Sequence, residues 1–541
     1  MDSARFTWID LAWLFVVAVV SSALCHHNTA PLGATFDEPF YIAKGLDCWR
    51  TGSYKPLMSA GTMPLPVDVQ TLPLYLWERH RGEAFDPYAQ LGTLLPIARL
   101  GNLPFWWLLL IYGMRWGRLL GGPWGGRFAC GFLAFEPSLL AHAGLATTDI
   151  AITGTTLATA YHWYTGRNGN WRYRVLVPGL WYGVALVSKA SAFAFVPILF
   201  VVLGCIPVWN AGVTWRTVWA KSSQLRWDVF NAGLIGIVCT FAYCGSDWQT
   251  EHTFVEWATE LPDGPTKQIM LPVSENLSIF TNAGEGLAQQ IKHNILGHGA
   301  YVLGEYHKRA CWYYFPVALS VKLTEPMILL LALVLFTRPR AFLNPVGVAT
   351  IALFLFSFNC RVQIGIRLVF PLLAFLLINL AVACSVNRSR LHFIAAWVAL
   401  GSLVLINVIV GSQGLQYANQ LWGGPSRCRD VLSDSNADWG QGLLELKTWW
   451  LQNNEPTLHV WYYGADSAIL LPPFHLVPVH QLKNATPDTV RQATNTGVFA
   501  VSNTLLDACP DRRPELLELI AWIKTQPVVA RTSTFVIFRM L

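Results

Sequence analysis

The sequence predicts a polytopic α-helical membrane protein ending in a small extracytoplasmic α/β domain, and three observations carry that expectation. Apolar residues make up 53% of the 541 residues and charged ones only 13%, with 25 Trp and a mean hydropathy of +0.38. A soluble fold of this length has too little interior for so much apolar surface, whereas a bilayer supplies the solvent for it. The basic residues fall in small clusters between apolar stretches. After Gly411 the long apolar runs give way to short alternating and amphipathic segments.

Stretches able to cross, or nearly cross, a core of about 30 Å fall near 9–25, 96–114, 125–141, 149–165, 174–188, 190–208, 229–246, 314–336, 345–358, 368–384 and 391–411. That makes about eleven transmembrane helices. The first stretch has the length of a secretory signal, but no small-residue cleavage site follows it, so it reads as an anchor. With the N-terminus and Arg5 cytoplasmic, the alternate loops carry Arg115, Arg118 and Arg127; Arg167, Arg172 and Arg174; Arg216, Lys221 and Arg226; Arg338 and Arg340; then Arg388 and Arg390. Every inner loop is basic, as the positive-inside rule requires. The same placement accounts for the net charge of +6 and leaves no nucleic-acid patch.

The remaining loops face outward: 26–95, 142–148, a turn near Lys189, 247–313, 359–367 and the segment after 411. The expected division is a membrane domain over 1–411, with large outer loops 26–95 and 247–313, and an outer domain over 412–541. Prolines at 56, 64, 66, 73 and 87 cut the first loop into short pieces, and Leu72 to Trp77 reads as an interfacial helix. Asn282 to Leu296 is amphipathic. In the outer domain, helices are expected at 441–452 and 514–525, and strands at 458–463, 497–502 and within 528–539. The eleven Cys form no metal-ligand spacing, and Cys428 and Cys509 are placed to pair if the domain is extracytoplasmic. Asn484-Ala485-Thr486 matches a glycosylation sequon, which matters only in a eukaryotic secretory pathway.

Three groups of residues could carry chemistry. Asp37 and Glu38 emerge together just beyond the first span, where charge is costly to keep; a helix N-cap before Pro39 is the plain alternative. Glu136, His142 and Asp149 reach the same outer face, Asp149 opening a new span, with capping or bundle hydrogen bonds as the plain alternatives. Arg99, Lys189, Arg361 and Arg367 sit at outer span ends, against the inward bias of the other basic residues. Cations there either snorkel to headgroups or, gathered opposite carboxylates, hold a phosphate. His26 and His27 with Asp37 and Glu38 match no established metal-ligand pattern. No cofactor is certain from the sequence, and a divalent metal ion stays open.

In order and topology these segments resemble the protein O-mannosyltransferase group, glycosyltransferase family 39, of the class C fold. The likeness rests on Asp37-Glu38 in the first outer loop, Leu145-Ala146-Thr147-Thr148-Asp149 opening the fourth span, and Gly183 to Lys189. It continues through Tyr301-Val302-Leu303-Gly304-Glu305-Tyr306 with Trp312 to Pro316, then Ile364 to Arg367 with Pro371. It ends in Gly423-Gly424-Pro425 and Asp434-Ser435-Asn436-Ala437-Asp438-Trp439-Gly440-Gln441, which look like the bacterial, polyprenyl-carrier branch. In one place the chain departs: Met63-Pro64-Leu65-Pro66 stands near where the family often shows His-Pro-Pro-Leu.

The resemblance implies a bacterial inner-membrane enzyme that moves a sugar from a polyprenyl-phosphate donor to a protein, glycan or lipid acceptor at the outer face, with inversion. It implies Asp37 as the base that deprotonates the acceptor, and Glu38 and Asp149 as residues that shape the pocket. Lys189 and Arg367 would take the lipid phosphate, with Arg361, Arg99, His142, Glu305 and Tyr306 as further binding candidates. Membrane lipids are expected partners. A transporter or flippase for a lipid-linked precursor, or a non-catalytic scaffold on the same fold, stands as the alternative; a transporter would need matched halves with interrupted helices, and the sequence shows no internal repeat.

Overall fold

The computed structural model describes residues 6–209, 215–278, 281–386, 389–482, 485–494, 497–509 and 513–540. Arg5, Arg388 and Asn484, and the side chains of Arg216 and Lys221, lie outside the described residues. The chain is a multi-pass helical membrane protein carrying an α/β domain. Among the described residues, five helical runs are long and apolar enough to cross a membrane: Trp8–Thr29, Leu91–Phe135, Ser222–Cys244, Ile366–Ser385 and Arg390–Gln416. A bent pair, Tyr314–Lys322 and Glu325–Thr337, makes six if counted as one span; the two helices meet at 112°.

That is fewer than the eleven expected, for local reasons. The run Leu91–Phe135 contains two expected crossings, because its helix Leu103–Phe135 is broken at Gly122 (φ 69°, ψ −165°), just before Pro123. The two arms pack glycine to glycine: a Cβ on Gly117 would lie 2.3 Å from the Gly125 carbonyl oxygen. Such close backbone approach is how small residues join helices in a bilayer. Asp149–Gly166 is diluted by Thr and Gly but is buried almost throughout, and Val177–Ser188 is short. At the centre lies Phe370–Ser385, buried on every side from Phe370 to Cys384. A helix apolar all round belongs in such a core.

Several arginines expected on inner loops are bound to acids rather than free. Asp10, fully buried on Trp8–Thr29, takes Arg118 at 2.5 Å and Arg127 at 3.0 Å. Asp228 takes Arg167, and Arg174 at 3.0 Å. Arg338 donates to the carbonyls of Ala383 and Val386. These contacts staple the helices at the end opposite Asp37.

At the other end of the bundle, the loop 26–95 forms the helices Glu38–Thr51 and Pro64–Arg81, and a two-stranded hairpin pairs β1 (Ala300–Val302) with β2 (Glu305–His307). Beyond Val410, short turns lead to a five-stranded sheet ordered β4-β3-β5-β7-β6, with β3 Leu458–Trp461, β4 Phe474–Leu476, β5 Val498–Ser502, β6 Val528–Arg531 and β7 Phe535–Phe538. The strands alternate as a two-sided sheet must. Leu458, Val460, Val498, Ala500, Phe535 and Ile537 pack with Leu443 and Leu446 of one helix. Trp461, Phe499, Val501, Val536 and Phe538 pack with Leu516 and Leu519 of another. The expected helices and strands are present; β4 and the helix Pro487–Ala493 were not anticipated. The pairing of Cys428 with Cys509 that the sequence left open is not formed, since no disulfide joins the two.

Candidate functional site

Asp37 stands at the N-cap position of Glu38–Thr51, yet its side chain makes no cap hydrogen bond. Its Oδ2 instead accepts from Arg367 Nη1 at 3.1 Å. Arg367 begins a turn that feeds the central helix, and Gly365 before it (φ 154°) must be glycine, since a Cβ there would meet Ser435 Oγ at 2.0 Å. The same Nη1 lies 3.5 Å from Asp149 Oδ2, Nε donates to Ser435 Oγ at 3.1 Å, and the guanidinium lies 4.0 Å over the Trp439 ring. Asp149 opens its helix without capping it. Its Oδ1 accepts from Lys189 Nζ at 2.6 Å, where the chain leaves Val177–Ser188 in an extended conformation.

The result is an alternating row of charges, Asp37, Arg367, Asp149, Lys189, drawn from four separate elements. Its middle is shut away, with Asp149 at 0% and Arg367 at 7% side-chain exposure, while Asp37 (25%) and Lys189 (24%) reach solvent. The inner acid therefore fixes both cations, and the outer acid keeps a free flank. A planar fork and a compact ammonium on one side of a carboxylate suit a phosphate with an adjacent proton acceptor.

Other expected residues fall elsewhere. Glu38, fully buried, is consumed by Arg99: Nε to Oε1 and Nη2 to Oε2, both 2.9 Å, with further bonds from Thr35 and from the Ala146 N–H. Burial would raise its carboxyl, but Arg99 and these donors outweigh it and leave Glu38 below the ordinary carboxylate range. Arg99 spends its remaining N–H groups on the carbonyls of Thr29, Leu32 and Gly33. The pair is a clamp that shapes the loop 26–95, and Arg99, expected as a binding candidate, has no donor left for a phosphate.

His142 is buried behind the row, Nδ1 against the Ser138 carbonyl at 2.9 Å and its ring edge-on to Phe370. A carbonyl only accepts, so Nδ1 carries a hydrogen, and burial pushes the imidazole down to about 4, so the ring is neutral at pH 7 and offers no cation to a phosphate. Arg361 is exposed, its nearest acceptor the Ile295 carbonyl at 3.5 Å. Glu305 and Tyr306 lie on β2; no hydrogen bond or ion pair joins Arg361 or Glu305 to the row. At the departure from the family pattern, Met63 packs with Met58, Val187 and Cys244. Among the described residues no group of three or more His, Cys, Asp or Glu is placed to hold a metal ion.

The C-terminal α/β domain and the segment leading into it supply residues whose role the sequence did not give. Asp434, in a left-handed conformation (φ 56°), accepts from Tyr463 OH at 3.0 Å and faces Arg367 and Asp37. Burial, only partly offset by Arg367, pushes its carboxyl up to about 6. Tyr463 stacks on Phe36 at 5.4 Å. The turn 434–439 thus closes the outer side of the row, and the one signal available was its position in the motif Asp434 to Gln441.

No family model and no curated protein matches this chain. Among solved structures it is similar to ArnT from Cupriavidus metallidurans bound to undecaprenyl phosphate, at 15% identity over 98% of each chain, with a TM-score of 0.49. It is also similar to the Archaeoglobus fulgidus oligosaccharyltransferase tethered with an acceptor peptide, at 12% identity over 92% of this chain and 70% of that one, with a TM-score of 0.47.

Proposed function

We propose that this protein is a membrane glycosyltransferase of the class C type, moving a sugar from a polyprenyl-phosphate donor to a hydroxyl-bearing acceptor at the outer membrane face. The observation that carries the reading is the buried Asp149 holding Lys189 and Arg367 together while Arg367 also orients Asp37. In this reading the two cations take the donor phosphate, and the isoprenoid tail stays in the bilayer. The acceptor hydroxyl gives its proton to Asp37 as its oxygen attacks the anomeric carbon from the face opposite the phosphate. The bond from that carbon to the phosphate oxygen breaks, and the electron pair leaves with the lipid phosphate. Cations already fixed before the reaction stabilise that leaving charge without reorganising. The sugar inverts.

A transporter finds less support: matched interrupted helices are needed in two halves, and the described residues contain one bent pair. The test is transfer of label from polyprenyl-phosphate sugars to a membrane extract by the purified protein. Asp37→Asn keeps an acceptor for Arg367 but removes the base, so transfer is expected to fall about 10²–10⁴-fold with thermal unfolding unchanged. Equal transfer by the variant, or none by the parent from any donor, would sink the reading.

A further inference from the structure

Lys322 ends the first helix of the bent pair and is 2% exposed, inside an otherwise apolar stretch. A buried ammonium costs several kcal/mol unless its donors are met, so its partners say what it is kept for. Nζ donates to the Leu415 carbonyl at 2.9 Å and to the Asn436 carbonyl at 2.5 Å. The Cys428 thiol donates to that same Asn436 carbonyl at 3.3 Å. Glu136, fully buried and with Oε1 lacking a hydrogen-bond partner, is the acid that acts on Lys322 electrostatically.

Asn436 passes the constraint on. Its Oδ1 accepts from the Ile366 N–H at 3.0 Å, and its Nδ2 donates to Tyr314 OH at 3.0 Å. Its neighbour Ser435 donates to the Ile364 carbonyl and accepts from Arg367 Nε. Two consecutive residues therefore grip the chain on either side of Gly365, and a single ammonium holds the carbonyl of the second, Asn436.

We propose that Lys322 is a positioning residue for Arg367: its ammonium fixes the Ser435–Asn436 turn, and through it the guanidinium that takes the lipid phosphate. The inference rests on the glycosyltransferase reading above. A methionine would fill the same space, but it would leave the Leu415 carbonyl without its donor and Glu136 without a neighbouring cation. It also lacks the donor that holds the Asn436 carbonyl.

The experiment measures binding of undecaprenyl phosphate, and of undecaprenol lacking the phosphate, to the full-length protein in detergent, alongside thermal unfolding. The readout is the preference for the phosphate form, which a general loss of packing would not move selectively. Lys322→Met is expected to reduce that preference about tenfold, the loss of one charged hydrogen bond. Tyr314→Phe takes a partner from Asn436 without removing a charge from the core and is the variant expected to fold in any case. It should cost about threefold. A parent protein with no preference for the phosphate overturns the glycosyltransferase reading itself. A parent with that preference, matched by folded Lys322→Met or by Tyr314→Phe, overturns the inference alone.

Discussion

Asp438 sits one turn from the site, its carboxylate accepting from the N–H groups of Thr504 and Gly440, both at 3.1 Å. Burial pushes it up to about 7, and Asp434 nearby to about 6. An unfolded aspartate titrates near about 3.9, so between the two values the folded domain holds a proton that the unfolded chain has released. Their contribution to stability is full below the unfolded value and is lost as pH rises through about 6 to 7. The unfolding temperature of the purified protein should fall between pH 5 and pH 8, by about 5 °C, and Asp438→Asn should flatten that slope. A slope unchanged in the variant would place the proton elsewhere. At this scale the sequence spoke where a charge interrupts an apolar run: Asp37, Asp149, Lys189 and Arg367 all stand at span ends, where charge has few structural uses. It singled out Glu38 but not its pairing, because its partner Arg99 lies 61 residues away and only the folded loop brings them together. Lys322 gave the same kind of signal inside 314–336, yet its partners are backbone carbonyls, which no residue pattern announces.

The Glu38–Arg99 clamp belongs to the elements rather than to the chemistry. It ties the end of Trp8–Thr29, the start of Glu38–Thr51, the helix Leu91–Leu100 and the turn before Asp149 through one carboxylate and the guanidinium it binds. Removing one partner of a buried pair leaves the other charge uncompensated, a loss of about 3–5 kcal/mol. Glu38→Gln should therefore lower the unfolding temperature strongly while the surviving folded fraction keeps more transfer activity than Asp37→Asn. The reverse order would return Glu38 to the reaction. Helix positions were legible because apolar runs and proline breaks are local. Their number as separate crossings was less so: the fold-back at Gly122 depends on a φ/ψ combination that glycine tolerates and on glycine contacts across the two arms.

The C-terminal α/β domain is joined to the helical bundle by the segment that leads into Asp37. The Gly33 N–H donates to the Gln441 carbonyl and the Phe36 N–H to the Trp439 carbonyl, both at 2.9 Å; the Ala34 N–H donates to Asp466 Oδ2 at 2.8 Å. The base and the turn that braces Arg367 are thus parts of one hydrogen-bonded seam. The sequence located the change of character after Gly411 but not this seam, since backbone pairing between loops leaves no side-chain pattern. Its tightness makes it testable: a Cβ on Gly33 would lie 2.9 Å from Asp466 Oδ2 and 3.3 Å from the Gln441 oxygen. Gly33→Val should force the two apart without touching any charge of the row. Limited proteolysis should then release the segment after 411 faster than in the parent, and transfer should fall about tenfold or more, since displacements of about 1 Å at a reacting centre cost far more than they do in packing. Gly33→Ala, with one methyl to place, should lie between the two. If Gly33→Val left both cleavage and transfer unchanged, the domain would be an appendage and the row of charges would act without it.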